Sequence, residues 1–219
     1  MGVKLSDIFV LSDKKFEGAK NLPVIKFNFF NKKIDLSNYQ ALVFTSKNGV
    51  EAIDRIDKSW RKIPSFSIGK GTSKEIRKKG GNLVFTASSS YGDDFAEEIV
   101  PLLKNKRVLF LRAKEVTSSL NKILKDNGVR LDEEIVYETV CNECDKLSSP
   151  PENSVIIFSS PSTVRCFFKC FEWKESYEAV VIGKKTASFM PDNIKYFLSD
   201  EQTIDSCIKF AGKLRKKSL

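Results

Sequence analysis

Two stretches of the chain share one pattern, a run of consecutive apolar, partly β-branched residues that gives way at a serine to helical spacing. The first is Ala41-Leu-Val-Phe-Thr-Ser-Lys-Asn-Gly-Val50 and the second Ser154-Val-Ile-Ile-Phe-Ser-Ser-Pro-Ser-Thr-Val164. Short runs of this kind predict buried strands at Leu42 to Phe44 and Val155 to Phe158. After the second strand, Val164, Phe167, Phe168 and Phe171 fall at i, i+3, i+4 and i+7, the stripe of a helix that buries one face. Pro161 suits the first helical residue, where its missing N–H would have no partner anyway. Ser160 is then the predicted N-cap and Ser46 its counterpart.

The resemblance between the two stretches extends further. Phe44 and Phe158, Ser46 and Ser160, Gly69 and Gly183, and Thr72 and Thr186 all stand 114 positions apart. Four landmarks in one register predict an internal duplication. The later pair lies in Ser67-Ile-Gly-Lys-Gly-Thr72 and Val181-Ile-Gly-Lys-Lys-Thr186, again a strand end before a helix start. Thr72 with Glu75 fits a T-x-x-E capping box. Each half is thus expected to place two helix N-termini at the C-terminal edge of a sheet, where open parallel sheets bind ligands.

The other segments fill in around the repeats. A first strand is expected at Asp7 to Ser12, followed by a Lys-rich stretch to Asn21 with no clear helical pattern. Later strands are expected near Leu83 to Phe85 and at Val108 to Arg112. Helices are expected from Asp93 and around Leu120, Ile123 and Leu124, the last ending at Asn127-Gly128. Residues 22–30 and 134–140 are extended and lie outside the duplication, which suits two crossing strands. The second repeat lacks an equivalent of the Val108 strand, so Ile8 to Leu11 is expected to complete its sheet. The expected fold class is α/β: two similar parallel-sheet lobes joined by a two-stranded antiparallel connector, with an active-site cleft between them. Residues 1–21 with 141–219 would form one lobe, 35–133 the other, and 22–34 with 134–140 the connector.

Composition narrows the chemistry. A chain of 219 residues, 41% hydrophobic, has enough apolar content for two small cores. No apolar run is long enough to span a bilayer and no signal-peptide pattern opens the chain, so a cytoplasmic protein without membrane contact is expected. The opening Met-Gly-Val-Lys-Leu-Ser matches the short myristoylation pattern, which arises easily by chance. Five cysteines without a secretory feature suggest reduced thiols. A net charge of +9 points to an anionic partner, and the absence of histidine leaves proton transfer to tyrosine, lysine, carboxylates or the substrate itself.

At the helix starts, backbone N–H groups and the hydroxyl or amide side chains of Thr45, Ser46, Asn48, Thr72, Ser160, Ser162 and Thr186 are suited to hold carboxylates. Each helix dipole adds roughly 0.3–1 kcal/mol. Lys47, Lys70, Arg112, Lys184 and Lys185 add attraction at longer range. For any one of these hydroxyls the plain alternative is a structural cap.

Phe44-Thr-Ser-Lys-Asn-Gly-Val50, Val136-Tyr-Glu-Thr139, Phe158-Ser-Ser-Pro-Ser162 and Ile182-Gly-Lys-Lys-Thr-Ala187 follow one another in an order and spacing that resembles the uroporphyrinogen-III synthase family from Leu22 onward. The resemblance implies two α/β lobes on a two-stranded ladder, no metal and no organic cofactor. It also implies a polycarboxylate substrate, the linear tetrapyrrole hydroxymethylbilane. Tyr137 matches the family's connector tyrosine, the candidate for assisting the departing hydroxyl; a phenol near its ordinary pKa of about 10 stays protonated at neutral pH and can donate. A monomer in transient contact with the preceding pathway enzyme is expected on the same basis. The chain departs from the family pattern at Ser12-Asp13, at Leu111-Arg112-Ala113 and at Thr117.

Other readings fit less well. Cys141-x-x-Cys144 has no histidine to complete a zinc site, and Cys166, Cys170 and Cys207 fall on expected helices. Gly69-Lys-Gly71 is only a fragment of a dinucleotide fingerprint. The basic stretch from Lys213 to Lys217 reads as a solvated helix end. A non-catalytic two-lobe module for a polyanion is the rival from another class, but the scattered positive charge lacks the interleaved aromatics of a nucleic-acid surface.

Overall fold

The computed structural model describes residues 8–89 and 91–217, with side chains described through residue 214. The amino-terminal myristoylation match and Asp7 lie outside the described residues, as do the side chains of the basic end beyond residue 214. In chain order the elements are β1 (Ile8–Val10), β2 (Lys20–Asn21), β3 (Ile25–Phe29), β4 (Ala41–Phe44), α1 (Lys47–Ile56), β5 (Ser65–Ser67), α2 (Gly69–Lys78), β6 (Leu83–Thr86) and α3 (Gly92–Leu103). They continue with β7 (Arg107–Ala113), α4 (Leu120–Asp126), β8 (Arg130–Cys141), β9 (Val155–Phe158), α5 (Pro161–Cys170), β10 (Glu178–Val181), α6 (Lys184–Ala187), β11 (Tyr196–Leu198) and α7 (Ile204–Lys217). Short 3-10 turns occupy Lys58–Lys62 and Cys144–Lys146. Among the described residues no helix is long and apolar enough to cross a membrane.

The chain divides into two compact units, Met1–Lys26 with Val140–Leu219, and Phe27–Thr139. The sheet of the second unit runs β3-β8-β7-β4-β5-β6. Its central strands read as unbroken apolar runs because both faces are covered, as expected of a parallel sheet. Ala41, Val43, Val108 and Phe110 point into one core with Phe95, Ile99 and Leu103 of α3 and Leu120 and Leu124 of α4. The alternate residues Leu42, Phe44, Leu109 and Leu111 point into the other, with Val50 and Ile53 of α1, Ile76 of α2 and Trp60. Asp54 of α1 ties this layer together. It accepts from Trp60 Nε1 at 3.1 Å and from Arg61 Nη2 at 2.8 Å, and it pairs with Lys58 at 2.6 Å and Lys79 at 3.5 Å.

The sheet of the first unit runs β11-β10-β9-β1-β2, with parallel pairing throughout. Ile8, Val10, Val155, Ile157 and Val180 pack against Cys207 and Ala211 of α7. On α5 and beside it, rings close a second cluster, with centroids 5.5 Å apart for Phe158 and Phe167 and 6.2 Å for Phe167 and Trp173. The order β1-β9-β10-β11 repeats β7-β4-β5-β6, so β1 supplies the strand missing from the second repeat.

The structure departs from the sequence-based expectation in three places. The strand that holds residues 134–140 is longer than expected: β8 starts at Arg130, pairs in parallel with β7 as far as Tyr137 and carries β3 on its other side. A 12-residue strand is long enough to serve the sheet and continue past it. Thr72 does not cap its helix. Gly69, with φ of +65°, turns the chain directly from β5 into α2, so the N-cap is Ile68 and Thr72 lies buried inside the first turns. Finally, four of the five cysteines are not free thiols: Cys141 is bonded to Cys166 and Cys144 to Cys170.

Candidate functional site

In the second unit the candidate residues gather at the C-terminal ends of β4, β5, β7 and β8. The turn out of β4 is closed by Ser46, which caps α1 by accepting from the Asn48 backbone N–H at 3.1 Å. Thr45 precedes it, half-buried, and the Asn48 side chain is buried within the first turn. Gly49 has no alternative there, because a Cβ would stand 2.8 Å from the Leu111 carbonyl oxygen of β7. α1 thus starts flush against the sheet, and its tip is set by the strand beneath it.

Tyr137 of β8 lies beside this tip. Its ring is 6% exposed and packs between Phe27 and Phe29 of β3, with centroids 6.1 and 6.3 Å away. Burial raises the phenol above its usual pKa, and the nearby Ser46 hydroxyl offsets only part of that rise. A phenol held above its ordinary pKa stays protonated at neutral pH and can donate to a ligand.

Lys70 is exposed at the start of α2, and Thr72 faces inward. Arg112 is already engaged. It binds Glu133 at 2.8 Å and donates to the carbonyls of Ala113 and Lys114 at 2.9 and 3.1 Å. Glu133 is further held by Lys125 and Asn121; burial pushes its carboxyl up, but these partners hold it below the ordinary glutamate range. Arg112 therefore braces β7 and β8.

In the first unit Ser160 caps α5 through a reciprocal pair, accepting from Thr163 N–H at 3.3 Å while its own N–H donates to Thr163 Oγ1 at 3.1 Å. Ser162 is half-buried in the first turn, Lys184 is exposed and Thr186 is buried. α6 is only one turn long, so the second tip of this unit offers less helix than its counterpart α2.

Two contributors escaped the sequence pattern. Thr163 completes the α5 cap in the place where Glu or Gln is the usual signal. Ser67, Ser73 and Thr86 form a hydroxyl chain beneath the α2 start, with Oγ atoms of Ser67 and Ser73 2.6 Å apart and Ser73 2.8 Å from Thr86 Oγ1. Ser73 also donates to the Gly69 carbonyl at 3.1 Å. The trace this hydroxyl chain leaves in the sequence is a pair of serines six positions apart, Ser67 and Ser73, flanking Ile-Gly-Lys-Gly-Thr.

A doubled α/β scaffold, each unit ending one central strand in a serine-capped helix tip and one of the tips beside a buried tyrosine, defines the class of two-unit open parallel-sheet α/β proteins. The family model of uroporphyrinogen-III synthase HemD matches residues 18–209, and the chain belongs to that family. The crystal structure of uroporphyrinogen-III synthetase from Helicobacter pylori is similar over 95% of this chain and 99% of that one, with a TM-score of 0.81 and 29% identity. A mutant uroporphyrinogen III synthase from Thermus thermophilus shares the fold at a TM-score of 0.60 and 12% identity, over 98% of this chain and all of that one. No curated protein sequence matches the chain.

Proposed function

We propose that the chain is a uroporphyrinogen-III synthase that closes hydroxymethylbilane into uroporphyrinogen III with inversion of ring D and loss of water. The observation that carries this reading is Tyr137, buried on β8 between Phe27 and Phe29, in a chain of the synthase family. The substrate is a polycarboxylate, and the net charge of +9 suits it.

In this reading the hydroxyl departs from ring A as Tyr137 donates a hydrogen bond to it, generating an azafulvene-like electrophile. Ring D attacks through its substituted carbon to give a spiro intermediate. Fragmentation and reclosure then turn that ring over, and the macrocycle closes. The bilane also cyclises unaided to the uninverted isomer, so the protein's main work is orientation. The tips of both units hold the carboxylates: Thr45, Ser46, Asn48, Lys70 and Thr72 in one, Ser160, Ser162, Lys184 and Thr186 in the other. Arg112 supports this arrangement from the side of β7.

We take β3 and β8 as the two-stranded antiparallel connector of the two lobes, with the active-site cleft between the lobes. The bonds from Phe30 N to Val136 O and from Asn142 N to Val24 O, both 3.0 Å or shorter, support opposite strand directions. The reading includes a cytoplasmic monomer that takes its substrate from the preceding pathway enzyme and calls on no metal or organic cofactor. The test is to generate hydroxymethylbilane in situ and separate the porphyrin isomers after oxidation. Predominant type III product with the protein present is expected; the same type I excess with and without it would end the proposal.

A further inference from the structure

Cys141 ends β8, Cys144 opens the 3-10 turn that follows, and Cys166 and Cys170 stand one helical turn apart on α5. The two segments meet as matched pairs, with Cα atoms 5.2 Å apart for Cys141 and Cys166 and 5.0 Å apart for Cys144 and Cys170. Positions i and i+4 of a helix are separated by about 6 Å along its axis, so the two pairs are offset by about one helical turn along α5. With both bridges closed no thiolate is available, and among the described residues no group of three or more His, Cys, Asp or Glu is arranged for a metal ion.

We propose that these four cysteines, when reduced, form a tetrathiolate site for one zinc ion that fastens α5 to the end of β8. Soft thiolate ligands in a C-x-x-C pair, completed by a second pair on one face of a helix, suit a tetrahedral d10 ion. Zn–S bonds of about 2.3 Å place neighbouring sulphurs ~3.8 Å apart. Within each pair, cysteines whose Cα atoms are 5.0 and 5.2 Å apart can reach that spacing by side-chain rotation.

The duplication says what the site is for. Cys166 and Cys170 occupy the places of Ala52 and Ile56, 114 positions earlier, and there α1 is held by apolar packing against Ile34, Leu36 and Val136. Beside α5 the neighbouring helix is cut to four residues, where α2 has ten. Beside so short a neighbour, α5 is secured by a cross-link, as small cores commonly are.

Opening the two bridges takes four electrons and four protons from a phosphine or dithiol reductant and yields four thiols. Zinc then displaces those four protons and leaves a ZnS4 unit of net charge −2. The inference does not depend on the synthase reading, because its readout is metal binding rather than turnover.

The full chain, reduced with a water-soluble phosphine under argon and freed of reductant, is titrated with Co2+ and then Zn2+. We expect the intense red-region absorption of tetrahedral thiolate-bound cobalt to saturate at one ion per chain and to be bleached by one equivalent of zinc. Four thiols should be shielded from an aromatic disulfide reagent until a chelator is added. Cys144→Ser and Cys170→Ser should each abolish the tetrathiolate spectrum, and Cys207→Ser should leave it unchanged. The proposal is overturned if the reduced wild-type chain gives no cobalt band, whether it keeps its far-ultraviolet dichroism or loses it. It is also overturned if the band survives in the Cys144→Ser/Cys170→Ser chain, or if the metal bound is iron in a sulphide cluster.

Discussion

The hydroxyl of Ser46, which caps α1, also lies near the phenol of Tyr137, 91 positions further along the chain, and offsets part of the rise that burial gives its pKa. One hydroxyl thereby serves a helix cap and borders the candidate acid.

Removing the phenolic oxygen tests the acid directly. Tyr137→Phe keeps the ring against Phe27 and Phe29 and should leave thermal stability nearly unchanged. Turnover should fall on the order of 10²-fold, the lower end of what a positioned acid contributes. Steady-state kinetics with bilane generated in situ reads this, and unaltered kcat would remove Tyr137 from the role.

The shared hydroxyl predicts coupling. Ser46→Ala should cost roughly 0.5–2 kcal/mol from the lost cap and should also slow turnover. Ser160→Ala loses a cap of the same kind but leaves Tyr137 untouched. In a double-mutant cycle, Ser46→Ala should have little further effect on kcat once Tyr137 is phenylalanine. Fully additive losses would show that Ser46 acts on its own.

The pH dependence follows from burial. Because burial raises the Tyr137 phenol above its ordinary value of 10.0, the donor form persists through neutral and mildly alkaline pH. The profile of kcat/KM should show no alkaline decline below about pH 10 that belongs to this residue. A decline below that point that disappears in Tyr137→Phe would contradict the assignment.

Asp54 should govern acid stability. Burial pushes its carboxyl up, but Lys58, Arg61 and Trp60 overcome that and hold it well below the ordinary aspartate value of 3.8. A group depressed in the fold stabilises it above the unfolded pKa, and that stability is lost as pH falls below 3.8 toward the folded value. Asp54→Asn should lower stability by roughly 3 kcal/mol, the low end for a broken buried ion pair because the lysine and arginine partners are partly exposed. Denaturant melts from pH 7 down to pH 2 should show a flatter acid limb in the variant.

Gly49→Ala probes the tip through the backbone. The added Cβ meets the Leu111 carbonyl oxygen at 2.8 Å, a contact that forces α1 off β7. A loss of about 1–3 kcal/mol is expected, as for other overpacked sites. Because the tip itself moves, turnover should fall as well. A variant as stable and active as the wild type would show that α1 is free to adjust.

Much of this protein is legible in its residue order because the deciding signals are local. An apolar run breaking at Ser46 or Ser160, a proline at the first helical position and the constant offset of 114 are each short-range patterns, and they yield the strands, the caps and the duplication. Even the return of β1 to complete the second repeat's sheet follows from counting strands. Tertiary structure decided what depends on partners far along the chain. It committed Arg112 to Glu133, buried Thr72 inside α2, carried β8 into the main sheet and brought two cysteine pairs together across the start of the second repeat. Neighbours in the chain dictate periodicity and turns, whereas the choice between two possible partners for a charge, a hydroxyl or a sulphur is made only by packing.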